Sequence, residues 1–136
     1  MKEKYFTFAA EESEKAEEDC SNKAKVGCVA MYKGTILAKG HNMDKTHTTQ
    51  AKYNIERYKE IHKYPCAIHA EIACLNKIKY LDIDFSKVIP VIYRKHKNGL
   101  PGLARPCPSC MKMIKDMGIK KIYYTGENSY IEEHLK

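Results

Sequence analysis

The sequence PSCMKMIKDM occupies residues 108–117, and from Met111 onward a methionine or isoleucine recurs at every third position. This spacing predicts an amphipathic helix, and Gly118 provides its C-terminal stop. An apolar, β-branched run at residues 88–93 precedes the helix, and a second run at residues 121–125 follows it. A helix between two strands predicts a right-handed crossover that joins parallel strands.

Residues 25–40 predict a β-hairpin. Apolar and small residues alternate in its first half, a short turn falls at Lys33-Gly34, and a second apolar run returns. The preceding chain, from Thr7 as an N-cap to Cys20, is rich in good helix formers, so we expect a helix there.

Residues 41–64 form a long polar connection in which a short helix is predicted at residues 51–58. A connection of this length in a compact domain is usually functional or mobile, so we expect it to border the active site. Residues 68–78 have enough apolar positions for a helix packed against a sheet, and residues 129–135 predict a short final helix.

Together these elements predict an α/β domain with three layers, in which helices cover both faces of a mixed sheet of four or five strands. The run at residues 88–93 has the composition of a strand that is covered on both faces. Pro90 removes one donor from the ladder, which favours an edge position or a bulge at that point.

Composition limits the class of protein. The chain has 136 residues, of which 43% are apolar, and this suffices for the core of one domain over residues 1–136. No apolar run approaches the length of a membrane span, and the first residues lack the apolar segment of a signal peptide. We therefore expect a cytoplasmic protein with no membrane partner, in which the cysteines are thiols or metal ligands.

The formal net charge is +7, which favours an anionic partner such as a nucleotide or a nucleic acid. A basic run without any acidic residue ends directly before Pro106, and it contains Arg94, Lys95, Lys97 and Arg105. We interpret this run as a ligand contact. The alternative is a solvated loop in a lysine-rich protein.

Two short motifs contain the groups for a metal site: His69-Ala70-Glu71 and Pro106-Cys107-Pro108-Ser109-Cys110. Each opens a predicted helix, and cysteines three apart at a helix start lie on one side, where the helix dipole favours thiolates. One histidine and two cysteines make three zinc ligands, and a catalytic zinc keeps its fourth position for water. Glu71 is then available for proton transfer.

A structural zinc site is the alternative. Cys66-x-x-His69 with Cys107-x-x-Cys110 would supply four ligands with good spacing, and a closed shell of four is typical of structural sites. In that arrangement Glu71 would have no role.

The order H-x-E followed by P-C-x-x-C is the signature of zinc-dependent nucleobase deaminases. On these two motifs the chain resembles the cytidine and deoxycytidylate deaminase superfamily, and the resemblance extends from Val26 to Thr125. It implies a three-layer α/β/α cytidine-deaminase-like fold and a Zn²⁺ cofactor. In longer members a fifth strand follows the last crossover helix, and because this chain ends soon after Thr125, a fifth strand is the less expected alternative.

The resemblance also implies the roles of the motif residues. His69, Cys107 and Cys110 would hold the zinc, which lowers the pKa of a water molecule. Glu71 would accept a proton as the water attacks the ring carbon that bears the exocyclic amine, and would deliver it to the ring nitrogen and the leaving ammonia. The implied activity is conversion of CMP, dCMP or cytidine to the uracil form.

Substrate contacts follow from the same resemblance. Asn42 occupies the place of an asparagine that contacts the ribose, and the backbone of Ala70 would hold the pyrimidine carbonyl. Tyr123 or Tyr124, on the last strand, would face the base or the sugar, with half-buried strand packing as the alternative for each. Homo-oligomers are common in the superfamily, so we expect one here.

Two classes of substrate remain open. Arg105, next to Pro106, is the first choice for a 5′-phosphate contact, which favours a free cytosine nucleotide. A polynucleotide is the alternative, because aromatic and basic residues that could stack and track a single strand interleave at Tyr53, Tyr58 and Tyr64 with Lys52, Arg57, Lys59 and Lys63. The same stretch also fits an amphipathic helix with packed tyrosines and solvated lysines.

Overall fold

The computed structural model describes residues 3–16, 24–43, 47–58, 68–96 and 98–136. The helices are α1 (Glu3–Glu14), α2 (Thr48–Tyr58), α3 (Ala70–Leu75) and α4 (Pro108–Asp116). The strands are β1 (Lys25–Tyr32), β2 (Thr35–His41), β3 (Val88–Lys95), β4 (Pro101–Gly102), β5 (Lys121–Gly126) and β6 (Ser129–His134). None of the described helices has the length and apolar content needed to cross a membrane.

The strands form one mixed sheet in the order β2-β1-β3-β5-β6, and the two-residue strand β4 pairs with the end of β3. β1 is antiparallel to both β2 and β3, whereas β3 and β5 are parallel and joined through α4. The predicted parallel crossover is therefore confirmed. So is the hairpin of β1 and β2, whose turn has positive φ at both Lys33 (51°) and Gly34 (83°), as a tight two-residue connection requires.

Helices cover both faces of the sheet, which confirms the three-layer architecture. α1 packs on one face, against β1 and β3, and α3 packs on the other, with α2 and α4 in contact beside it. Residues from β3 reach both cores, since Val91 belongs to the α1 side and Ile92 to the opposite side. The strand at residues 88–93 is thus covered on both faces, as its composition predicts.

Two glycines allow these helices to approach the sheet closely. A side chain at Gly27 on β1 would overlap the Ala9 carbonyl and the backbone of Ser13 in α1. A side chain at Gly40 on β2 would overlap the backbone of α3 at Cys74. α3 is the helix that begins beside the metal motif, so the close approach at Gly40 helps to set the position of that motif over the sheet.

The C-terminal region differs from the prediction. Residues 129–134 are strand β6, antiparallel to β5, and not a helix, so the sheet has six strands where four or five were expected. Asn128 takes a positive φ of 56°, which closes a tight turn between β5 and β6. The turn and the pairing with β5 override the helical preference of the two consecutive glutamates in this segment.

Other boundaries also differ. α1 begins at Glu3, so Thr7 lies inside the helix and is not its N-cap, and Cys20 lies outside the described residues. α3 is shorter than predicted and ends at Leu75, before a series of turns. β3 is an interior strand, which makes the edge assignment from Pro90 wrong: this proline faces Ala30 of β1, and pairing with β5 begins one residue later.

Candidate metal centre

The two metal motifs meet at the starts of two helices. His69 is the N-cap of α3 and Cys107 is the N-cap of α4, and both have extended backbone conformations. An N-cap side chain commonly accepts a hydrogen bond from its own helix, but neither of these does so. The imidazole and the thiol are therefore left to interact with each other across the contact between α3 and α4.

The donor atoms have the spacing of a tetrahedral zinc site. His69 Nδ1 lies 3.5 Å from Cys107 Sγ and 3.3 Å from Cys110 Sγ. Zinc bonds of about 2.0–2.1 Å to nitrogen and about 2.3 Å to sulfur, at tetrahedral angles, place these atoms about 3.6 Å apart. All three donor atoms lie within 4.8 Å of one another. One nitrogen and two sulfurs at these distances fit Zn²⁺.

The pKa values of the two cysteines are shifted in opposite directions. A hydrogen bond from the Cys110 thiol, helped by His69, lowers the pKa of Cys107 to about 3. The same hydrogen bond and complete burial raise the pKa of Cys110 well above its ordinary value. The two shifts favour the thiolate form of Cys107 and the thiol form of Cys110. Because zinc binds thiolates, binding at this centre releases a proton from Cys110.

Glu71 lies beside the donor atoms without belonging to their group. Within the part of the chain that the structure describes, the metal-binding group consists of His69, Cys107 and Cys110. The Glu71 side chain is 6% exposed, and the Cys110 side chain is within hydrogen-bonding reach of its carboxyl group. Burial raises the pKa of Glu71, and the nearby His69 opposes this shift. Cys66, which the four-ligand alternative requires, lies outside the described residues.

One contact to the metal motif was missed by the sequence analysis. The backbone N–H of His69 donates a hydrogen bond of 2.9 Å to Gln50 Oε1 on α2. Gln50 Nε2 in turn donates to Asn54 Oδ1 at 2.8 Å, and both amides are buried. The sequence signal is weak: two amides four residues apart on a predicted helix can bond to each other, but nothing in their spacing points to His69.

The predicted ribose contact, Asn42, has a structural role at the end of β2. Its Oδ1 accepts a hydrogen bond of 3.0 Å from the Val26 N–H, and its Nδ2 donates one of 2.6 Å to the Ala24 carbonyl. These bonds tie β2 to the start of β1. Ala70 is completely buried as the first residue of α3, where a backbone N–H has no partner inside the helix.

The two predicted tyrosines lie on opposite faces of the sheet. Tyr123 stacks with Tyr5 and Phe6 in the core beneath α1, with ring centroids 6.5 and 6.2 Å away. Tyr124 belongs to the core on the other face, which also contains Cys110, and its hydroxyl donates a hydrogen bond of 2.8 Å to Glu133. Of the two, Tyr124 alone shares a face with the metal-binding group, whereas Tyr123 does not lie on that side.

Two residues of the predicted basic run pair with carboxylates. Lys95 bonds at 2.8 Å to Glu14 of α1, on the opposite face of the sheet. Arg105 forms two hydrogen bonds of 3.0 Å with the carboxylate of Glu133 on β6. Lys97 lies outside the described residues. The carboxylates that partner Lys95 and Arg105 lie in distant parts of the sequence, so the sequence of the run does not reveal them.

The surface proposed for single-stranded nucleic acid is only partly described. Tyr53 is 8% exposed and belongs to the core between the sheet, α2 and α4, which agrees with the packed-tyrosine interpretation. The side chains of Arg57 and Tyr58 and residues 59–67 lie outside the described residues.

The chain is similar to solved structures of a phage deaminase. The apo dCMP deaminase of the cyanophage S-TIM5 is 27% identical, with a TM-score of 0.61 over 93% of this chain and 86% of that one. The same enzyme in complex with dCMP and dUMP is 25% identical, with a TM-score of 0.55 over 91% of this chain and 82% of that one.

A bifunctional diaminohydroxyphosphoribosylaminopyrimidine deaminase and 5-amino-6-(5-phosphoribosylamino)uracil reductase from Thermotoga maritima shares the fold. It is 19% identical, with a TM-score of 0.55 over 90% of this chain and 28% of that one. No curated protein sequence matches the chain. The family model for the cytidine and deoxycytidylate deaminase zinc-binding region matches residues 1–126. With its His-Cys-Cys group for Zn²⁺, the chain therefore belongs to the cytidine and deoxycytidylate deaminase family.

Proposed function

We propose that the protein is a hydrolytic deaminase that converts a cytosine nucleotide, CMP or dCMP, or cytidine to the uracil form and releases ammonia. The observation that supports this most strongly is the relation of Glu71 to the donor atoms of His69, Cys107 and Cys110. A buried carboxyl group lies next to three zinc ligands and is not one of them. This is the composition of a catalytic metal site with an acid–base residue.

His69, Cys107 and Cys110 would hold Zn²⁺, and a zinc ion bound there would lower the pKa of a water molecule toward neutral pH. Glu71 accepts a proton from this water as the water oxygen bonds to C4 of the cytosine ring. The carboxyl group then gives that proton to N3. It next moves the remaining proton of the hydroxyl on C4 to the exocyclic nitrogen, so that the C4–N4 bond breaks, the C4 carbonyl forms and ammonia leaves. Burial raises the pKa of Glu71 above its ordinary value, which favours uptake of a proton by this carboxyl group.

The ring must be held so that C4 faces the attacking water. The N-terminal backbone of α3 at Ala70 offers an N–H group without a partner in the helix, which suits the ring carbonyl. Asn42 and Tyr124 remain proposals for contacts to the sugar or the base, while the stacking of Tyr123 beneath α1 speaks against a contact from that residue.

A free nucleotide is the substrate class that we propose. The similar cyanophage deaminase binds dCMP and dUMP, and the chain has a net charge of +7. Arg105 remains the proposed phosphate contact, but a phosphate would have to compete with Glu133 for its guanidinium group. The packed position of Tyr53 gives no support to a stacking surface for a polynucleotide.

By family resemblance we also propose a homo-oligomer, which light scattering after size-exclusion chromatography would detect.

The substrate is tested by mass spectrometry of products from zinc-loaded protein. Cytidine, CMP, dCMP, adenosine, single-stranded DNA and tRNA are each offered, with metal-depleted protein as the control. We expect a uracil product from a mononucleotide and none after zinc removal. Product from a polymer alone would instead assign nucleic-acid editing, and no product from any substrate would contradict the proposal.

A further inference from the structure

The buried amide of Gln50 contacts the metal motif without contributing a metal ligand. Gln50 is fully buried on α2, and its Oε1 accepts the hydrogen bond from the backbone N–H of His69 at 2.9 Å. Nineteen residues separate the two along the chain, so the bond joins two different elements. It is a fixed link between α2 and the residue that opens α3.

The bond satisfies a backbone N–H that the helix leaves without a partner. His69 stands at the N-cap of α3, and its own side chain makes no capping hydrogen bond because its ring is turned toward the cysteine sulfurs. The N–H of an N-cap residue has no partner within the helix, and burial without one would be costly. Gln50 supplies that partner from outside and thereby restricts the backbone from which the imidazole projects.

Asn54 fixes the orientation of the Gln50 amide. Its Oδ1 accepts from Gln50 Nε2 at 2.8 Å, one helical turn further along α2, and Asn54 is 3% exposed. If the Gln50 amide were reversed, its NH₂ group would face the His69 N–H and that bond would be lost, while the bond to Asn54 would form again only if the Asn54 amide turned as well. The Asn54 bond therefore keeps the Gln50 oxygen on the side of His69.

The same helix also contacts the second half of the metal centre. α2 packs against α4, and Tyr53 of α2 lies in the same core as Cys110 and Met113 of α4. α2 thus holds the histidine motif through a hydrogen bond and the cysteine helix through apolar packing.

We propose that Gln50, oriented by Asn54, is a positioning residue that holds His69 Nδ1 at the correct distance from the two cysteine sulfurs for zinc binding. This inference rests on the metal centre of the proposed function and on no particular substrate. Groups that orient metal ligands commonly change metal affinity by about 10–100-fold when they are removed. Because Gln50 acts on the backbone of His69 and not on its ring, we expect an effect near the lower end, about 10-fold.

The test compares zinc affinity, measured by competition with a chromophoric chelator, in the purified full-length protein and four variants. Gln50→Leu removes the acceptor and should weaken zinc binding about 10-fold. Gln50→Glu keeps an acceptor of the same length, and since the Asn54 amide can turn to donate to it, this variant should regain most of the affinity. Asn54→Leu should give a smaller loss than Gln50→Leu.

Thr49→Val is the matched control. Thr49 is the neighbouring residue on α2, and its hydroxyl bonds to Asn76 and Lys79, away from His69. This variant loses buried hydrogen bonds from the same helix, so it should lower the melting temperature while leaving zinc affinity unchanged.

A second measurement reports ligand geometry independently of activity. The visible absorption of the Co²⁺-substituted protein should shift or lose intensity in Gln50→Leu and return toward the wild-type spectrum in Gln50→Glu. If Gln50→Leu kept wild-type zinc affinity and an unchanged Co²⁺ spectrum, the role of Gln50 would be overturned and the metal centre would stand. If Thr49→Val and Gln50→Leu lost equal amounts of zinc affinity, the effect would be general destabilisation, which would also overturn the role of Gln50. A wild-type protein that binds no zinc would overturn the metal centre as well, whereas zinc binding without deamination would contradict only the proposed activity.

Discussion

The guanidinium group of Arg105 and the carboxylate of Glu133 form two hydrogen bonds, each 3.0 Å long, between the residue that precedes the second metal motif and strand β6. The Tyr124 hydroxyl donates to the same carboxylate at 2.8 Å. Arg105 therefore has a carboxylate partner, and any anion that binds Arg105 must displace Glu133 or share the guanidinium group with it.

Substitutions at this pair test the proposed phosphate contact. If Arg105 binds the 5′-phosphate, Arg105→Ala should raise KM for dCMP by about 10–100-fold and leave KM for cytidine unchanged. A change of this size corresponds to the loss of a hydrogen bond to a charged group. Glu133→Gln removes the competing charge and should lower KM for dCMP. Steady-state kinetics on both substrates measure these changes. An equal change in KM for cytidine and dCMP in Arg105→Ala would show that Arg105 does not contact the phosphate.

The same pair predicts a pH dependence of stability. The hydrogen bonds from Arg105 hold the pKa of Glu133 below its ordinary value of 4.5. A carboxyl group with a lowered pKa stabilises the fold above its unfolded pKa, and this contribution disappears as pH falls through the folded pKa. Both side chains are partly exposed, so the pair should contribute less than about 1 kcal/mol.

Melting temperatures of the wild type and Glu133→Gln should therefore differ slightly at neutral pH and converge as the pH falls well below 4.5. Glu11→Gln, which changes an exposed carboxylate on α1, is the control and should show no such convergence. A difference in melting temperature between the wild type and Glu133→Gln that widens as the pH falls would contradict the predicted sign of the effect.

The cysteines that the structure describes divide into metal ligands and core residues. Cys107→Ser should abolish stoichiometric zinc binding, because it removes one of the three donor atoms. Cys28→Ala should retain zinc and lose about 1 kcal/mol of stability, since Cys28 is a buried residue of the sheet and its loss leaves a small cavity. Elemental analysis gives the zinc content and denaturant unfolding gives the stability. Full zinc content in Cys107→Ser would contradict the proposed ligand set.

Cys66 distinguishes the catalytic site from the four-ligand structural site. With three protein ligands, Cys66→Ser should leave both zinc content and chelator resistance at wild-type values. Loss of the metal in this variant would identify Cys66 as a fourth ligand and would support a structural zinc module.

Local patterns were sufficient to predict the part of the fold that surrounds the metal centre. The spacing of Met111, Ile114 and Met117 predicted α4, and the runs on either side predicted parallel β3 and β5. The two motifs predicted which donor atoms come together, because their order and spacing match the signature of zinc-dependent deaminases. These features depend on short stretches of chain, where periodicity is informative.

The missing features depend on contacts between distant residues. Strand β6 is stabilised by its pairing with β5, which a local preference for helix does not reveal. The bond from His69 to Gln50 and the pairing of Arg105 with Glu133 join residues that are separated by 19 and 28 positions. Spacing along the chain contains no information on such pairs, since they follow from how the elements pack.

The measurement that tests the central claim most directly is the deamination rate of Glu71→Ala at full zinc occupancy, on the nucleotide that the wild type accepts. Zinc content is measured on the same sample, because Glu71 is not one of the three metal ligands and its loss should leave the metal bound. General acid–base groups contribute about 10²–10⁴-fold to rate, so kcat should fall by at least about 100-fold. A zinc-loaded Glu71→Ala protein that deaminates at the wild-type rate would contradict the account.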